Sequence, residues 1–405
     1  MREPSPVAIA IGRRFRAWPV RVALAFLAGL VLMAVYAPFL CGEVALFWHD
    51  ANGWQLPVFG DLFNAWSYPK PHDLFFNIIA LELPFLLVIG HLLRKRFRLG
   101  RQLVAAAGII VLSTLICVLP WLPSANGWQA PWRKKIQPVQ TFAQAAAQPD
   151  TVWAIFPVVP HRFDAHVPAS SLLPPLSVDA ASGRRFWLGT DSAGKDVFAQ
   201  IIFGARISLT VGLVATGLSM LIGTIIGAIS GYFGGWVDLA LQRVVELMMT
   251  FPTFILILVV VAMLGRDIFI IMSVIGITGW AGTARLVRGE FLAQSVREYV
   301  LAAEALGLSR TRIMFRHILP NALTPLLISA TFGIAGAIGA ESGLAFIGLG
   351  DVTVPSWGVL MEQGRQNIQY AWLIYAPGIA IFCIVIALNV VGNALREALD
   401  PRSSG

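Results

Sequence analysis

The stretch Gly189-Thr-Asp-Ser-Ala-Gly194-Lys195-Asp196 comes nearest in this sequence to a chemical motif. Its Gly-x4-Gly-Lys spacing is that of a phosphate loop, whose backbone N–H groups cradle phosphates while a final Ser or Thr hydroxyl holds magnesium. Asp196 stands in the hydroxyl's place, where its charge would press against the phosphates. No parallel strand–helix pattern surrounds it, so nucleotide binding is not expected and any ATP would be hydrolysed by another chain. Nearby, Asp150, His161, Asp164, His166 and Asp179 could supply acid–base groups. No nucleophile motif accompanies them, and their segment is Pro-rich, which suits a solvated loop better than a catalytic site. His49, His72, His91, His161, His166 and His317 show no metal-ligand spacing. Cys41, Cys117 and Cys383 are too dispersed for a metal motif or a disulfide framework. Two acids remain, Glu82 and Glu341, each inside an apolar run, where an ionisable group is a functional candidate by default.

The apolar runs dominate the chain. Of its 405 residues, 57% are hydrophobic and 13% charged, with a mean hydropathy of +0.72. Soluble domains carry roughly 25% charged residues, so an ordinary cytosolic protein and a disordered one are both excluded. The excess of 30 Lys and Arg over 22 Asp and Glu, +8 in all, marks the cytoplasmic side of a membrane rather than nucleic-acid binding. An all-α, multi-pass membrane bundle is expected.

A spanning helix needs about 20 mostly apolar residues, and eight candidates are found. They are Val22–Cys41, Leu74–Leu93, Leu103–Leu119, Ile207–Val237, Leu247–Leu264, Ile268–Ala284, Ala322–Ile347 and Ala371–Leu395. The first follows Arg13, Arg14, Arg16 and Arg21, and reads as a retained anchor with the N-terminus inside. The second and third form a hairpin around Arg94, Lys95, Arg96, Arg98 and Arg101, whose tip is then cytoplasmic. Residues 43–73 lie outside in this scheme, with Trp48, Trp54, Trp66 and Tyr68 suited to the membrane interface. The count places 285–320 and the C-terminus inside, in agreement with Arg285, Arg288, Arg297, Arg310, Arg312 and Arg316. Three regions follow: 1–121 in the membrane, 122–196 as an extracytoplasmic loop with short helices, and 197–400 as the main transmembrane domain. Glycines four apart, Gly223, Gly227 and Gly231, then Gly339 and Gly343, predict close helix packing.

Between Arg285 and Pro320 the pattern predicts a helix over Ser295–Gly307 with Val296, Val300, Ala303 and Leu306 as its apolar stripe. Gly307 can stop it, and Ser309 can cap a second helix, Arg310–Leu319, with Pro320 marking the entry to the next span. The outcome is a short helix–turn–helix that a partner could grip or, on pattern alone, an interfacial loop.

The residues of this segment carry a family resemblance. Tyr299-Val-Leu-Ala-Ala-Glu-Ala-Leu-Gly307, followed by Arg316-His-Ile-Leu-Pro-Asn321, resembles the EAA loop of ABC importer permeases. Leu301 stands where that pattern has Glu, while Ala302, Ala303, Gly307, Leu319 and Pro320 match. The Leu variant is similar to the dipeptide/oligopeptide/nickel branch. Leu188–Leu209, with Asp191 and Arg206, resembles the segment before the second span of its C-type subunit, with Lys195 where Arg is usual. Glu341–Gly350, then Pro355-Ser-Trp357-Gly358, is similar to the end of that subunit's last-but-one span and the loop beyond, without the usual paired prolines. The resemblance covers about 188–400 and leaves the 74–119 hairpin and most of the 122–195 loop unassigned.

The resemblance implies a type I importer core and a non-enzymatic role: this chain would form the path for di- or oligopeptides across the cytoplasmic membrane. The partners it implies are a second permease subunit, two ATPase subunits that hold ATP and Mg, and an extracytoplasmic solute-binding protein. Leu301, Ala302, Ala303, Gly307, Leu319 and Pro320 would belong to the ATPase-coupling loop. Glu341 would line the pathway or pair with a polar neighbour at the outer mouth, where Trp357 also falls. Asp191 would belong to a gate, a docking surface or a plain turn. Nickel-chelate or other small-solute import is the alternative cargo. An ion-coupled transporter is expected to show internal repeats, and the two halves show none; a membrane enzyme would need chemistry in the 122–195 loop.

Overall fold

The computed structural model describes residues 15–93 and 185–399 without interruption, and shorter stretches between 105 and 183. Lipid offers no partner for backbone N–H and C=O groups, so a chain this apolar must satisfy them within helices. Among the described residues six helices are long and apolar enough to cross a membrane. They are α1 (Trp18–Val35), α2 (Pro71–Leu93), α3 (Val197–Phe233), α6 (Ile268–Ser295), α8 (Leu319–Leu344, entered through Arg310–Ile318) and α10 (Trp372–Leu399). The third expected span, Leu103–Leu119, lies largely outside the described residues.

The fifth expected span is not a straight helix. In place of Leu247–Leu264 the chain forms α4 (Gly235–Thr250) and α5 (Thr253–Leu264), which meet at 82°. Pro252 is the cause: it disfavours the helical region for the preceding residue, and Phe251 is extended at φ −76°, ψ 133°. The second helix of the expected helix–turn–helix is continuous with the span that Pro320 enters. Arg310–Arg312 runs into a π-helical turn, Ile313–Ile318, and straight on into α8. The widened turn absorbs the N–H that Pro320 lacks and the crowding of its ring. Between them lies α7 (Glu298–Ala305), and α9 (Trp357–Gln366) precedes α10.

Two compact units emerge, Leu30–Ile207 and Ser208–Gly405 together with Met1–Gly29. The first holds strands that the sequence reading did not anticipate. β1 (Phe47–Asp50) pairs antiparallel with β2 (Gly53–Gln55) and with β3 (Trp153–Ile155), so segments on either side of residue 121 share one sheet. β4 (Ser177–Val178) and β5 (Arg185–Phe186) form a second antiparallel pair. Of the four aromatic residues assigned to the membrane interface, Trp54 and Trp66 are exposed, but Trp48 and Tyr68 are buried in this unit.

In the second unit α8 packs on α10 and α6, and α9 on α10. Gly223, Gly227 and Gly231 do bring helices together: a Cβ on Gly223 would lie 2.7 Å from the Trp280 carbonyl oxygen, and one on Gly231 2.8 Å from that of Arg288. Backbone cannot yield as a side chain can, so Gly223→Ala should part α3 from α6 and cost about 1–3 kcal/mol. Gly217→Ala, whose Cβ meets nothing within 4 Å, should leave the melting temperature of the detergent-purified protein unchanged or raised. Gly339 and Gly343 do not play this part. Nothing lies within 4 Å of a Cβ on Gly339, and the nearest group to Gly343 is the Phe254 ring at 3.5 Å.

Candidate functional site

Helix α7 stands at the centre of residues 285–320. It ends in a Schellman motif: Gly307 N–H donates to Glu304 O (2.9 Å) and Leu308 N–H to Ala303 O (3.2 Å). That closure needs a left-handed residue, and Gly307 sits at φ +73°. Ser309 has the backbone of an N-cap but makes no side-chain cap bond. Tyr299 Oη donates to Gln294 Oε1 (2.9 Å) and accepts from Asn321 Nδ2 (3.2 Å), which ties α7 to the end of α6 and the start of α8.

The helix has two faces. Val300 and Ala303 are buried in a cluster with Phe291, Ile313, Met314 and Ile318. Leu301, Ala302, Leu306 and Gly307 point away from the cluster, with Leu306 81% exposed. Of the expected coupling residues, Ala303 and Leu319 therefore pack against the chain itself, whereas Leu301, Ala302, Gly307 and Pro320 are exposed. Among the described residues, its chain neighbours aside, nothing lies within 4 Å of a Cβ built on Gly307. The outcome is an apolar, sterically open ledge fixed to the helical bundle through its underside.

Glu341 is 1% exposed and lies one turn from the end of α8. Its Oε1 accepts from Ser356 Oγ (2.6 Å) and its Oε2 from Ser342 Oγ (3.3 Å). Ser356 is in turn the N-cap of α9, accepting from Gly358 N–H at 3.1 Å, and Trp357 beside it is fully buried. Glu341, Ser356 and Trp357 thus form one group that fixes how α9 leaves α8. Asp351, which the sequence reading passed over, adds a second tie by accepting from Ile268 N–H (3.2 Å) at the start of α6. The sequence does not show that Arg288 pairs with Asp238; the two form a two-pronged ion pair, 2.6 and 2.7 Å, that joins α4 to α6.

Asp191 is fully buried, and its carboxylate organises the loop that mimics a phosphate site. Its Oδ1 accepts from the N–H groups of Ala193 and Lys195 (2.9 Å each), and its Oδ2 from Gln200 Nε2 (3.0 Å). Two of the N–H groups that a phosphate would require are therefore already bound by the chain's own carboxylate. Asp196 caps α3 by accepting from Phe198 N–H (2.7 Å) and Ala199 N–H (3.1 Å), while its Oδ2 is buried with no partner. Burial pushes its carboxyl up to about 6, against the lowering effect of the two N–H groups. A raised carboxyl stabilises the fold in its protonated form, so this contribution is present below the ordinary carboxylate range and is lost as pH rises towards 6. Asp196→Asn keeps the cap and removes the charge. It should raise the melting temperature at pH 7.5 and raise it much less at pH 4.5.

A family model described as "Binding-protein-dependent transport system inner membrane component" matches residues 223–405. The chain is 39% identical over 218 residues to the dipeptide transport system permease protein DppC of Alkalihalophilus pseudofirmus, covering 53% of this chain and 72% of the relative. It is 37% identical over 229 residues to the oligopeptide transport system permease protein OppC of Bacillus subtilis, covering 56% and 75%. It is also 40% identical over 223 residues to the peptidoglycan transport system permease protein YejE of Agrobacterium fabrum, covering 55% and 58%. The motif-bearing half of the sequence, its bundle of apolar helices and the ledge at α7 agree with these matches: the chain belongs to the binding-protein-dependent transport system inner membrane components, as a C-type permease subunit of the dipeptide/oligopeptide branch.

Proposed function

We propose that this chain forms one half of the membrane path of an ATP-driven peptide importer. It pairs with a second permease subunit, seats an ATPase subunit against α7, and receives di- or oligopeptides from an extracytoplasmic solute-binding protein. ATP and Mg belong to the two ATPase subunits, whose closure swings the bundle between two discrete arrangements. The membrane is the cytoplasmic one, with both termini inside, because the six arginines between 285 and 316 fall on one side of the predicted topology.

The division of α7 into a buried and an exposed face supports this reading most directly. A lever must be held rigidly by the body it moves and be open to the body that moves it. Val300 and Ala303 meet the first need, and Leu301, Ala302 and Leu306 meet the second. At the other end of α8, Glu341, bound to two serines, serves as a pin for the outer mouth rather than as a peptide ligand, and Trp357 wedges behind it. Asp191 holds a structural turn.

Gentle solubilisation of native membranes, with capture through a C-terminal tag, tests the assembly. A second permease and two chains with Walker motifs should co-purify, and peptide-loaded binding protein should stimulate ATP hydrolysis. Recovery of this chain alone, even after crosslinking, would sink the proposal.

A further inference from the structure

Helices α3, α5, α6 and α8 line an open-mouthed cavity of about 430 Å³, within the size range of small-molecule sites. Each helix contributes hydroxyls: Thr216 and Ser219 from α3, Thr253 from α5, Thr283 from α6 and Ser329 from α8. None of the described residues lining the cavity is charged. Serine and threonine inside apolar helices ordinarily bond back to a carbonyl one turn earlier. Ser273, Thr278 and Thr331, which lie outside the cavity, do so at 2.7–2.8 Å. Among the described residues, the five cavity hydroxyls make no hydrogen bond at all. Thr216 is the extreme case, 7% exposed with an Oγ1 that is buried and unpartnered. Leaving such a group dry and unbonded is unfavourable, and threonine in a helix has a second χ1 rotamer through which Oγ1 can turn to meet an occupant.

We infer that this cavity binds the main chain of the transported peptide, held by a ring of neutral hydroxyls; the inference rests on the importer reading above. Neutral groups that both donate and accept suit alternating amide N–H and C=O, and with no charge in the lining they do not select among side chains. A lipid chain offers nothing to bond, and a helix of a partner subunit has already satisfied its own backbone. The five hydroxyls point to an occupant whose amides are unpaired, which an extended peptide is.

The test uses the whole transporter in proteoliposomes with its binding protein, and tri-alanine as the probe. A Cβ on Gly336, which lines the cavity, meets nothing within 4 Å, and neither does one on Gly378 in α10, which does not line it. Gly336→Leu therefore adds bulk at the cavity wall with no clash at its Cβ and should cut uptake about tenfold or more, while Gly378→Leu should change it little. Thr216→Val should raise the KM for tri-alanine about two- to tenfold without lowering the melting temperature. With Cys41, Cys117 and Cys383 replaced by alanine, tri-alanine should slow the alkylation of Ser329→Cys, and a short-chain phosphatidylcholine should not. Normal wild-type uptake with unimpaired Gly336→Leu, or protection by the lipid and not by the peptide, would overturn the cavity proposal and leave the importer reading standing. Absence of peptide uptake by the wild type would overturn both.

Discussion

Asp73→Ala is expected to cost the protein about 3–5 kcal/mol, because it strands a buried guanidinium. Arg206 in α3 is fully buried. Its Nη1 lies 3.3 Å from Asp73 Oδ1, and its Nη2 donates to Asn77 Oδ1 at 2.8 Å, both in α2. Its Nε and Nη2 donate to the carbonyls of Ala34 (2.7 Å) and Val35 (3.2 Å). Those carbonyls belong to the last turn of α1, which has no helical donors left to satisfy them. The rings of Phe76 and Phe203 lie 5.3 and 5.2 Å from the guanidinium carbon and exclude water from it. One side chain thus binds the first span, the added helix α2 and α3. Asp73→Ala should give a large fall in melting temperature and in membrane yield. Asp73→Leu combined with Arg206→Met should recover part of that loss by removing both charges, but not all of it, since the α1 carbonyls stay unbonded. An unchanged melting temperature for Asp73→Ala would mean that the clamp does not hold α2 in place.

Gly307→Leu is expected to abolish peptide uptake while the chain remains folded and in the membrane. Among the described residues a Cβ there would meet nothing within 4 Å, so the cost at the backbone is that of the left-handed conformation, about 1–2 kcal/mol. That cost falls on the Schellman closure of α7 and on the surface beside Leu306, where a partner would press. Asn tolerates φ > 0 better than other side chains, so Gly307→Asn should retain more transport than Gly307→Leu. Uptake assays alongside membrane quantification of both variants decide the matter. Full uptake by Gly307→Leu at normal abundance would remove Gly307 from the coupling surface.

The parts of this molecule that hydropathy governs were legible in its sequence; the parts that single charges and prolines govern were less so. The Arg206–Asp73 pair shows why. Spans read from apolar runs begin at Leu74 and Ile207, one residue beyond each charge, so the two partners fall just outside the windows that define them. Pairing across 133 residues leaves no local trace. Pro252 did leave one, and weighing it above the apolar run around it would have predicted the bend between α4 and α5. Strands β1–β3 are only three or four residues long, too short for a period-two pattern to stand out. At α7 the apolar stripe and Gly307 located the helix and its end, because a Schellman closure demands glycine at one position. Which face would be buried was only half legible: Val300 and Ala303 turn inward, but Val296 and Leu306 of the same stripe are exposed.

The central claim is that the exposed face of α7 seats an ATPase subunit, and proximity crosslinking tests it most directly. In a chain with Cys41, Cys117 and Cys383 replaced by alanine, single cysteines are placed by Leu301→Cys, Leu306→Cys and, on the buried face, Val300→Cys. The assembled transporter is treated in native membranes with a short cysteine-to-lysine crosslinker, and the products are identified by mass spectrometry. The account predicts crosslinks from positions 301 and 306 to a chain with Walker motifs, and none from position 300. Crosslinks from 301 and 306 that reach no nucleotide-binding chain, in membranes where that chain is present, would contradict it.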